Sequence, residues 1–522
     1  MSGWQFDNRF VNELPADPQS GTQRRQVHNA CYSFVEPAAV TAPALVAYAA
    51  EVAELLDLTA EDCQSDWFLQ VMAGNRLLDG MQPHAMCYGG HQFGMWAGQL
   101  GDGRAINLGE VRNQAGQHWS LQLKGAGETP YSRSADGLAV LRSSIREFVC
   151  SEAMHHLGVP TTRALSLVTT GEEVMRDIMY DGHPAAEPGA VVCRVAPSFI
   201  RFGNFQIFAA RDQHEELRTL ADFTIRHYFP DILGVHEAGS AQSYLAWFER
   251  VCDLTVEMVV HWMRVGFVHG VMNTDNMSIH GLTIDYGPYG WLDNFDPDWT
   301  PNTTDAQGKR YRYSQQPNIA LWNCYQLANS LHPLIEDSSG LEAALQQFQL
   351  SYVERWRAMM ASKLGLADFQ PSDEKLFAEL EKVLAQLDMD MTNFYRYLST
   401  EDRLLSSELI EFSYRKEELN DEDKNRLRDW LQQYAERLKS DGRDQRQRHQ
   451  AMQQVNPVYL FRNYLAQQAI ENSEQGDHQM LHELLNVLRR PYEEQSGMEA
   501  YAAMRPDWAR NKVGCSMLSC SS

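Results

Sequence analysis

Residues 268–287 read VHGVMNTDNMSIHGLTIDYG and place two short, mainly apolar runs on either side of a glycine turn. The runs are 277–279 and 282–284, and His280-Gly281 separates them. Glycine adopts positive φ without steric cost, and histidine is enriched among the other residues that do so. Two-residue loops of this kind connect neighbouring antiparallel strands. The stretch therefore predicts a tight β-hairpin with His280-Gly281 at its tip.

The predicted hairpin brings two oxygen donors opposite each other. Counted outward from the turn, Asn276 pairs with Asp285, and directly opposed residues hold their Cβ atoms roughly 4.5–5.5 Å apart. An amide oxygen and a carboxylate at that spacing suit a hard cation such as Mg²⁺ or Mn²⁺. Asp275, one residue upstream of Asn276, is the candidate general base. The alternative is that these residues and Gly287 are only turn residues at the ends of a surface hairpin.

A lysine and a glutamate further upstream suit a phosphate-binding ion pair. Residues 118–124 alternate between apolar and polar, which predicts a strand with Lys124 on the face away from the apolar layer. After Asp136-Gly137, apolar residues at helical spacing predict a helix that carries Glu147 beside its apolar stripe. A Lys124–Glu147 pair would hold the ammonium group in place for phosphate oxygens. The alternative is an ordinary surface salt bridge.

Glycine and arginine residues provide further candidate phosphate contacts. Residues 98–105 (GQLGDGRA) form a glycine-rich turn ahead of a predicted strand, and backbone amides in such turns approach phosphates closely. The turn matches neither the Walker-type phosphate loop nor the dinucleotide fingerprint, since the Lys-Ser/Thr ending and the third glycine are missing. Arg194 and Arg201 lie seven residues apart in an apolar setting. Guanidinium groups bind phosphate bidentately, so these two are candidates for a polyphosphate clamp.

Part of the opening stretch also resembles two segments of protein kinases. Asn276 is similar to the metal-binding asparagine of the kinase catalytic loop, and the Asp-Tyr-Gly triplet at Asp285 is similar to the kinase Asp-Phe-Gly segment. A kinase places its base aspartate five residues before that asparagine, where this chain has Val271. By this criterion the chain looks like a pseudokinase.

A wider set of motifs resembles the SelO, or selenoprotein O, family of kinase-like protein adenylyltransferases. The resemblance covers nearly all 522 residues. The motifs are 88–94 (YGGHQFG), 99–105 (QLGDGRA), 123–127 (LKGAG), 129–133 (TPYSR), 272–278 (MNTDNMS), 284–288 (IDYGP), 316–323 (QPNIALWN), 456–457 (NP) and 462–463 (RN).

The resemblance implies an α+β, protein-kinase-like two-lobed fold, with a β-rich N-lobe, a helical C-lobe and helical extensions at both ends. Helical patterns at 241–265 and 341–364 agree with a helical C-lobe. The predicted units are an N-terminal extension at 1–95, the N-lobe at 96–205, the C-lobe with the hairpin at 206–400, and a helical C-terminal region with a cysteine-containing tail at 401–522.

The implied activity is transfer of AMP from ATP to Ser, Thr or Tyr hydroxyls of proteins, with release of pyrophosphate and with ATP reversed relative to a kinase. At the matching positions, Asp275 is the proton acceptor and Asn276 and Asp285 are ligands of Mg²⁺ or Mn²⁺. Lys124, paired with Glu147, is a phosphate ligand. A reversed ATP needs cations where a kinase holds adenine, and arginines supply them. The implied ATP-binding residues are Gly101, Gly103, Arg104, Lys124, Asp136, Gly137, Arg194, Arg201 and Asp285.

Three other functions stay open on the sequence. The chain could transfer UMP from UTP with Mn²⁺, because no base-reading residue can be identified from spacing. It could be an atypical kinase that transfers the γ-phosphate, or a catalytically inactive ATP-binding scaffold. All of them would use the same candidate residues.

Composition predicts a cytoplasmic enzyme with a sizeable core. At 522 residues and 44% hydrophobic, the chain is long enough for two or three domains or lobes. The net charge of −24 would repel nucleic acid over most of the surface. The sequence has no export signal and no apolar run of about 18 residues, so neither secretion nor a membrane partner is expected.

Nine cysteines, an odd number, do not indicate a secreted disulfide framework. Cys515 and Cys520 lie in the tail, where exposure is expected, and are possible redox residues. The C-terminal Cys-Ser-Ser resembles the tail that carries selenocysteine in animal members of the family and cysteine in many bacterial ones. The resemblance also implies, for some bacterial members, a bridge from that cysteine to the activation loop. The corresponding loop here, 298–304, has no cysteine, which argues against that disulfide in this chain; Cys324 is a candidate substitute.

Overall fold

The chain has a mixed α+β fold in a computed structural model that describes residues 3–400 and 405–519. The strands are β1 (Gln5–Phe6), β2 (Tyr32–Phe34), β3 (Ala44–Tyr48), β4 (His84–Met86), β5 (Gly89–Gln92), β6 (Met95–Gln99), β7 (Ala105–Arg112), β8 (His118–Lys124), β9 (Ala139–Val140), β10 (Arg163–Arg176), β11 (Ala185–Ala196), β12 (Phe267–Val268) and β13 (Gly290–Trp291). The helices are α1 (Arg9–Glu13), α2 (Ala50–Leu55), α3 (Ala60–Cys63), α4 (Asp66–Met72), α5 (Leu141–His156), α6 (Phe202–Ala209), α7 (His214–Tyr228), α8 (Ala241–Val265), α9 (Gln316–Ile335), α10 (Ser338–Lys363), α11 (Asp373–Gln386), α12 (Met391–Thr400), α13 (Ser406–Leu409), α14 (Asp421–Asp441), α15 (Gln445–Gln453), α16 (Asn463–Glu474) and α17 (Gln479–Leu488).

One antiparallel sheet of nine strands, counted within the described residues, dominates the first 200 residues. Its main path runs β2-β4-β7-β8-β11-β10-β3, while β1 pairs with β7 and β9 pairs with β11. In the central β8–β11 ladder, Gln122 is the partner of Arg194 and Lys124 is the partner of Val192. Because side chains two apart on a strand share a face, the ladder places Gln122, Lys124 and Arg194 together.

Helix α5 packs across β10 and β11 and supplies the other half of the predicted ion pair. Its predicted apolar stripe is confirmed from Leu141 onward, since Leu141, Ile145, Phe148 and Val149 are at most 2% exposed, whereas Leu138 precedes the helix. Glu147 is equally buried. Burial of this face holds the helix against the sheet and directs the carboxylate of Glu147 to the strand that carries Lys124.

The long helix at 241–265 is confirmed with the predicted bounds, as α8. The Ser240 side chain accepts a hydrogen bond from the Ser243 amide at its start, and Gly266, at φ +74°, ends it in the left-handed conformation. The reversal at Gly266 leads the chain into β12 and then into the candidate catalytic segment. No described helix combines the length and apolar content that a membrane span requires.

The prediction of a mainly helical N-terminal extension is wrong. Residues 3–95 contain strands β1–β4, and all four join the large sheet. Ala44–Tyr48, for example, pairs with β10 through Tyr48–Ser166. Such short apolar runs are compatible with a helix or a strand, and the partner that decides between them lies more than 100 residues away. After residue 404 the described chain is mainly helical, as expected.

The predicted β-hairpin at 277–284 is also wrong. Ser278 bridges to Arg201 and Thr283 bridges to Thr161, so the two runs pair with separate segments rather than with each other. The turn between them remains, since the Gly281 amide donates to the Ser278 carbonyl at 3.1 Å and Gly281 has φ +61°. Neither run forms a strand, and each makes one isolated bridge to a distant segment that the local pattern does not identify.

Candidate active site

A cavity of about 680 Å³ brings the sequence-predicted site residues together. Residues from the sheet and its loops line one side, and residues 271–288 line the other. Arg201 and Glu147 lie behind the lining and bond to lining residues. The predicted residues that line the cavity are Gly101, Gly103, Arg104, Lys124, Asp136, Gly137, Arg194, Asp275, Asn276 and Asp285.

Buried ion pairs connect the two sides of the cavity. Lys124 Nζ hydrogen-bonds Glu147 Oε2, and Arg194 Nη1 donates to Glu147 Oε1 at 3.0 Å. Arg194 Nη1 also reaches Asp285 Oδ1 at 2.5 Å, and Arg201 Nη1 pairs with Asp285 Oδ2. The Lys124 and Glu147 side chains are only 11% and 3% exposed. The predicted pair is therefore confirmed, and it is not a surface salt bridge.

These charges set the protonation of Asp285 and Lys124. Burial alone would raise the pKa of Asp285, but the nearby Arg201, Arg194 and Lys124 lower that pKa well below its usual range. Burial lowers the pKa of Lys124 to about 8, although Glu147 opposes the shift. At neutral pH the site therefore holds a carboxylate at Asp285 and a mainly protonated Lys124.

Three supporting residues were not predicted. Gln122 Oε1 accepts a hydrogen bond from Arg194 Nη2. The Tyr88 ring lies 4.6 Å from Arg201 Cζ, and Asp102 Oδ1 is 4.0 Å from Arg201 Nη2. The sequence pattern could have identified Gln122, because it lies on the same strand face as Lys124. Tyr88 and Asp102 lie in the family motifs 88–94 and 99–105, and no other sequence signal marks them. Together they fix the orientations of both guanidinium groups.

Asp275 is buried beside the cavity with unsatisfied hydrogen-bonding capacity. It lies in a 3₁₀ turn, Thr274–Asn276, and is 7% exposed. Its Oδ2 accepts a hydrogen bond from Gln92 Nε2 at 3.3 Å, and its Oδ1 has no hydrogen-bond partner. Burial raises the pKa of Asp275 to about 6. The group is therefore ionised at pH 7 yet more basic than an exposed carboxylate, as a general base requires.

The two-stranded hairpin β5–β6, here called the active-site hairpin, holds this segment in place. The His91 amide donates to Thr274 Oγ1 at 2.7 Å, and the Phe93 amide donates to Asn273 Oδ1 at 3.2 Å. Gln92 between them contacts Asp275. Residues 91–93 of the hairpin thus hold residues 273–275, which include the candidate base. Residue spacing in the sequence did not predict these contacts.

The oxygen donors around Asp285 suit a hard divalent cation. Asn276 Nδ2 donates to the Val271 carbonyl at 2.9 Å, which leaves Asn276 Oδ1 as the atom free to bind a cation. The two candidate ligands, Asn276 and Asp285, line the cavity. Asp275, whose Oδ1 has no hydrogen-bond partner, lines it as well. No group of three or more His, Cys, Asp or Glu side chains in the described ranges could hold a metal. A cation here would need further ligands from water or phosphate, as Mg²⁺ normally does.

The remaining predicted ATP-binding residues lie at the cavity wall. Asp136 pairs with Arg176 at 2.7 Å. Gly101 has φ +76°, and a Cβ there would lie 2.3 Å from the Tyr131 ring. Gly137 has φ +73°, and its Cβ would lie 2.1 Å from a backbone oxygen. Both glycines are therefore required by the backbone path of the wall, whatever they bind.

The expectation that Cys515 lies in an exposed C-terminal tail needs correction. Cys515 is 1% exposed and burial raises the pKa of its thiol to about 11, so the predicted exposure is wrong. Cys324 is fully buried in α9, and Cys520 lies outside the described residues. The tail is held down, because the Leu518 amide donates to the Pro301 carbonyl at 2.9 Å and its carbonyl accepts from Thr303. A redox role for either tail cysteine stays a prediction.

Comparison with known proteins agrees with this site. A family model described as "Protein adenylyltransferase SelO" matches residues 19–489. The chain belongs to the SelO family. A protein nucleotidyltransferase YdiU from Azoarcus sp. is 59% identical over 519 residues, covering 99% of both chains. Proteins of the same name from Xanthomonas campestris pv. campestris and Methylobacillus flagellatus are 57% and 55% identical, covering 100% and 99% of both chains. Membership of the SelO family makes this chain an enzyme of the nucleotidyltransferase class.

In this SelO-family enzyme, we expect Gly90→Ala to lower nucleotidyl transfer by about tenfold or more, because displacing the candidate base Asp275 by a small distance would have effects of that order. A Cβ at Gly90 would lie 2.8 Å from Asp275 Oδ1 and 3.0 Å from Asp275 Cβ, so the carboxylate must move. Steady-state transfer rates and a nucleotide titration would measure the effect. Gly234→Ala, where a Cβ meets nothing within 4 Å, is the matched control. Unchanged transfer by Gly90→Ala would show that the position of Asp275 is not critical.

Proposed function

We propose that the chain transfers AMP from ATP to Ser, Thr or Tyr hydroxyls of proteins, with ATP reversed relative to a kinase in a two-lobed, kinase-like fold. The main support is a buried network beside one cavity, in which Arg194 and Arg201 both pair with Asp285, and Lys124 shares Glu147 with Arg194. Lys124 and Arg194 at the cavity wall, with Arg201 directly behind it, suit a triphosphate better than a purine. Arg194 and Arg201 are held by buried side chains, so little reorganisation is needed when phosphate binds.

The chain's own residues suit each part of this reaction. The acceptor hydroxyl loses its proton to Asp275 while its oxygen forms a bond to the α-phosphorus. The bond from that phosphorus to the bridging oxygen breaks, and pyrophosphate leaves toward Lys124 and the arginines. Mg²⁺ or Mn²⁺, held by Asn276 and Asp285, would neutralise phosphate charge when bound.

Labelled nucleotides test the proposal. Purified enzyme and a cell extract would be incubated with α- or γ-³²P-labelled ATP and with α-labelled UTP, each with Mg²⁺ or Mn²⁺. Protein labelled from α-ATP supports AMP transfer, and its acid-stable ester would be mapped to a hydroxyl by mass spectrometry. Label from γ-ATP would instead indicate a kinase, and preferential label from UTP would indicate UMP transfer. Nucleotide binding without any label would indicate a scaffold.

The rate of transfer should rise with pH through the pKa of Asp275. A base acts in its deprotonated form, and with a pKa of about 6 that form makes up about one tenth of the enzyme at pH 5 and about nine tenths at pH 7. We therefore expect kcat/KM to increase about tenfold from pH 5 to pH 7 and then to level off. Initial rates at saturating Mg²⁺, with nucleotide affinity measured at each pH, would give the profile. A flat profile over this range would contradict the assigned base.

A further inference from the structure

Large apolar side chains are exposed at the tip of the active-site hairpin. Phe93, Met95 and Trp96 are 38%, 74% and 40% exposed. The two turn residues, Phe93 and Gly94, both have positive φ, at +51° and +84°. This conformation is unfavourable for a phenylalanine, and strain of this kind is kept mainly where function requires it. The tip therefore presents apolar surface on a strained turn.

Helix α9 and the loop before it extend this apolar surface. The Trp322 ring lies 5.5 Å from the His91 ring of the hairpin, in an edge-on arrangement. The Arg310 guanidinium lies 4.6 Å from the Trp322 ring centroid and close to Gly94. We call Phe93, Met95, Trp96, Trp322 and Arg310 the tip patch. Aromatic residues, Met and Arg are the types enriched where protein surfaces bind other proteins.

Arg310 brings positive charge to the tip patch. Its backbone amide donates to Asp305 Oδ1 at 2.9 Å, but among the described residues no carboxylate lies within salt-bridge distance of its guanidinium group. The adjacent Lys309 is exposed. The whole chain carries a net charge of −24, so this local excess of positive charge contrasts with the rest of the surface. An acidic group on a binding partner would satisfy it.

The tip patch is continuous with the candidate base. The Phe93 amide donates to two acceptors, Asn273 Oδ1 and the Tyr311 hydroxyl, the latter at 2.9 Å. The neighbouring Gln92 side chain contacts Asp275. Gln92 and Phe93 also line the nucleotide cavity. A polypeptide lying on the tip patch would therefore pass directly beside the base and the cavity mouth.

We propose that the tip patch docks the protein substrate. The segment it fits has an aromatic or aliphatic residue and an acidic residue close in sequence to the acceptor hydroxyl. The apolar residue would pack on Met95 and Trp96, and the carboxylate would pair with Arg310. This proposal rests on the proposed function, because it assigns the substrate class of the same site.

Oriented peptide pools test this preference with the full-length enzyme. Each pool contains short peptides with a central Ser, Thr or Tyr and one fixed flanking residue, and transfer from α-labelled ATP and UTP is measured for wild type, Arg310→Glu and Met95→Gln. Wild type is expected to favour pools with acidic and apolar residues. Arg310→Glu is expected to favour Lys or Arg pools instead, and Met95→Gln to reduce the apolar preference about fivefold, the order of an interface residue. Leu350→Gln, at a similarly exposed apolar side chain on α10, is the matched control and should keep the wild-type order.

A changed rank order of the peptide pools distinguishes a docking defect from a folding defect, because a folding defect would lower transfer to all pools equally. If all variants rank the pools as wild type does, the tip patch does not dock substrate although the proposed function stands. If wild type labels no pool from either nucleotide, the proposed function and the docking role both fail. Analytical ultracentrifugation that shows a dimer lost in Met95→Gln would assign the patch to a second copy of the chain and overturn the proposal.

Discussion

Replacing Asp275 by Asn is expected to lower nucleotidyl transfer by about 10²–10⁴-fold, the range that general-base catalysis contributes. The amide has almost the same shape as the carboxylate but cannot accept the hydroxyl proton. Nucleotide affinity should change little, because the cations that would hold phosphate are Lys124, Arg194 and Arg201. Single-turnover transfer and a nucleotide titration would separate the two effects.

The same substitution should not destabilise the protein. Burial raises the pKa of Asp275 to about 6, so ionising this carboxylate costs folding free energy; that cost begins above the unfolded pKa of about 4 and is complete above about pH 6. Its Oδ1 also has no hydrogen-bond partner to lose. The thermal midpoint of Asp275→Asn at pH 7.5 should therefore equal or exceed that of wild type. Near-normal transfer by a stable Asp275→Asn protein would show that another group, or a water molecule, takes the proton.

The predictable part of the site came from patterns that one element carries alone. The alternation at 118–124 set the face of Lys124, and the helical stripe after residue 137 set the position of Glu147. Each pattern reports which face of its own element is apolar. Neither pattern fixes the meeting of the two side chains, which depends on α5 packing across β10 and β11 on the sheet face that carries Lys124.

The parts that failed depend on long-range partners. Asn276 and Asp285 line one cavity, but the two-residue turn at Gly281 does not bring them together. Their segments are held by residues near 161 and 201, and no periodicity identifies those partners. The contact of Gln92 with Asp275 likewise spans 183 residues. Only the family resemblance at 88–94 marked that hairpin as part of the site.

Asp285→Ala is expected to have the second largest effect, on both nucleotide binding and stability. Asp285 accepts from Arg194 and Arg201, whose side chains are 2% and 1% exposed. Removing one member of a buried ion pair costs about 3–5 kcal/mol, because the remaining charge loses its partner. We expect the lower end of that range, since Arg194 keeps Glu147 and Gln122. Urea unfolding would measure the loss, and the exposed Asp231→Ala, paired with Arg250, should cost less than about 1 kcal/mol.

The pH dependence distinguishes this ionic contribution from packing. The folded-state pKa of Asp285 lies well below its unfolded value, so the stabilisation is fully present above about pH 4 and is lost as pH falls through the folded pKa. The stability difference between wild type and Asp285→Asn should therefore persist from pH 5 to pH 8 and should be lost only in stronger acid, below about pH 4. In parallel, Asp285→Asn should lose the Mg²⁺- or Mn²⁺-dependent part of ATP affinity, because the anionic ligand is gone. ATP affinity that still responds fully to the metal, with unfolding unchanged, would show that Asp285 neither binds the cation nor anchors the arginines.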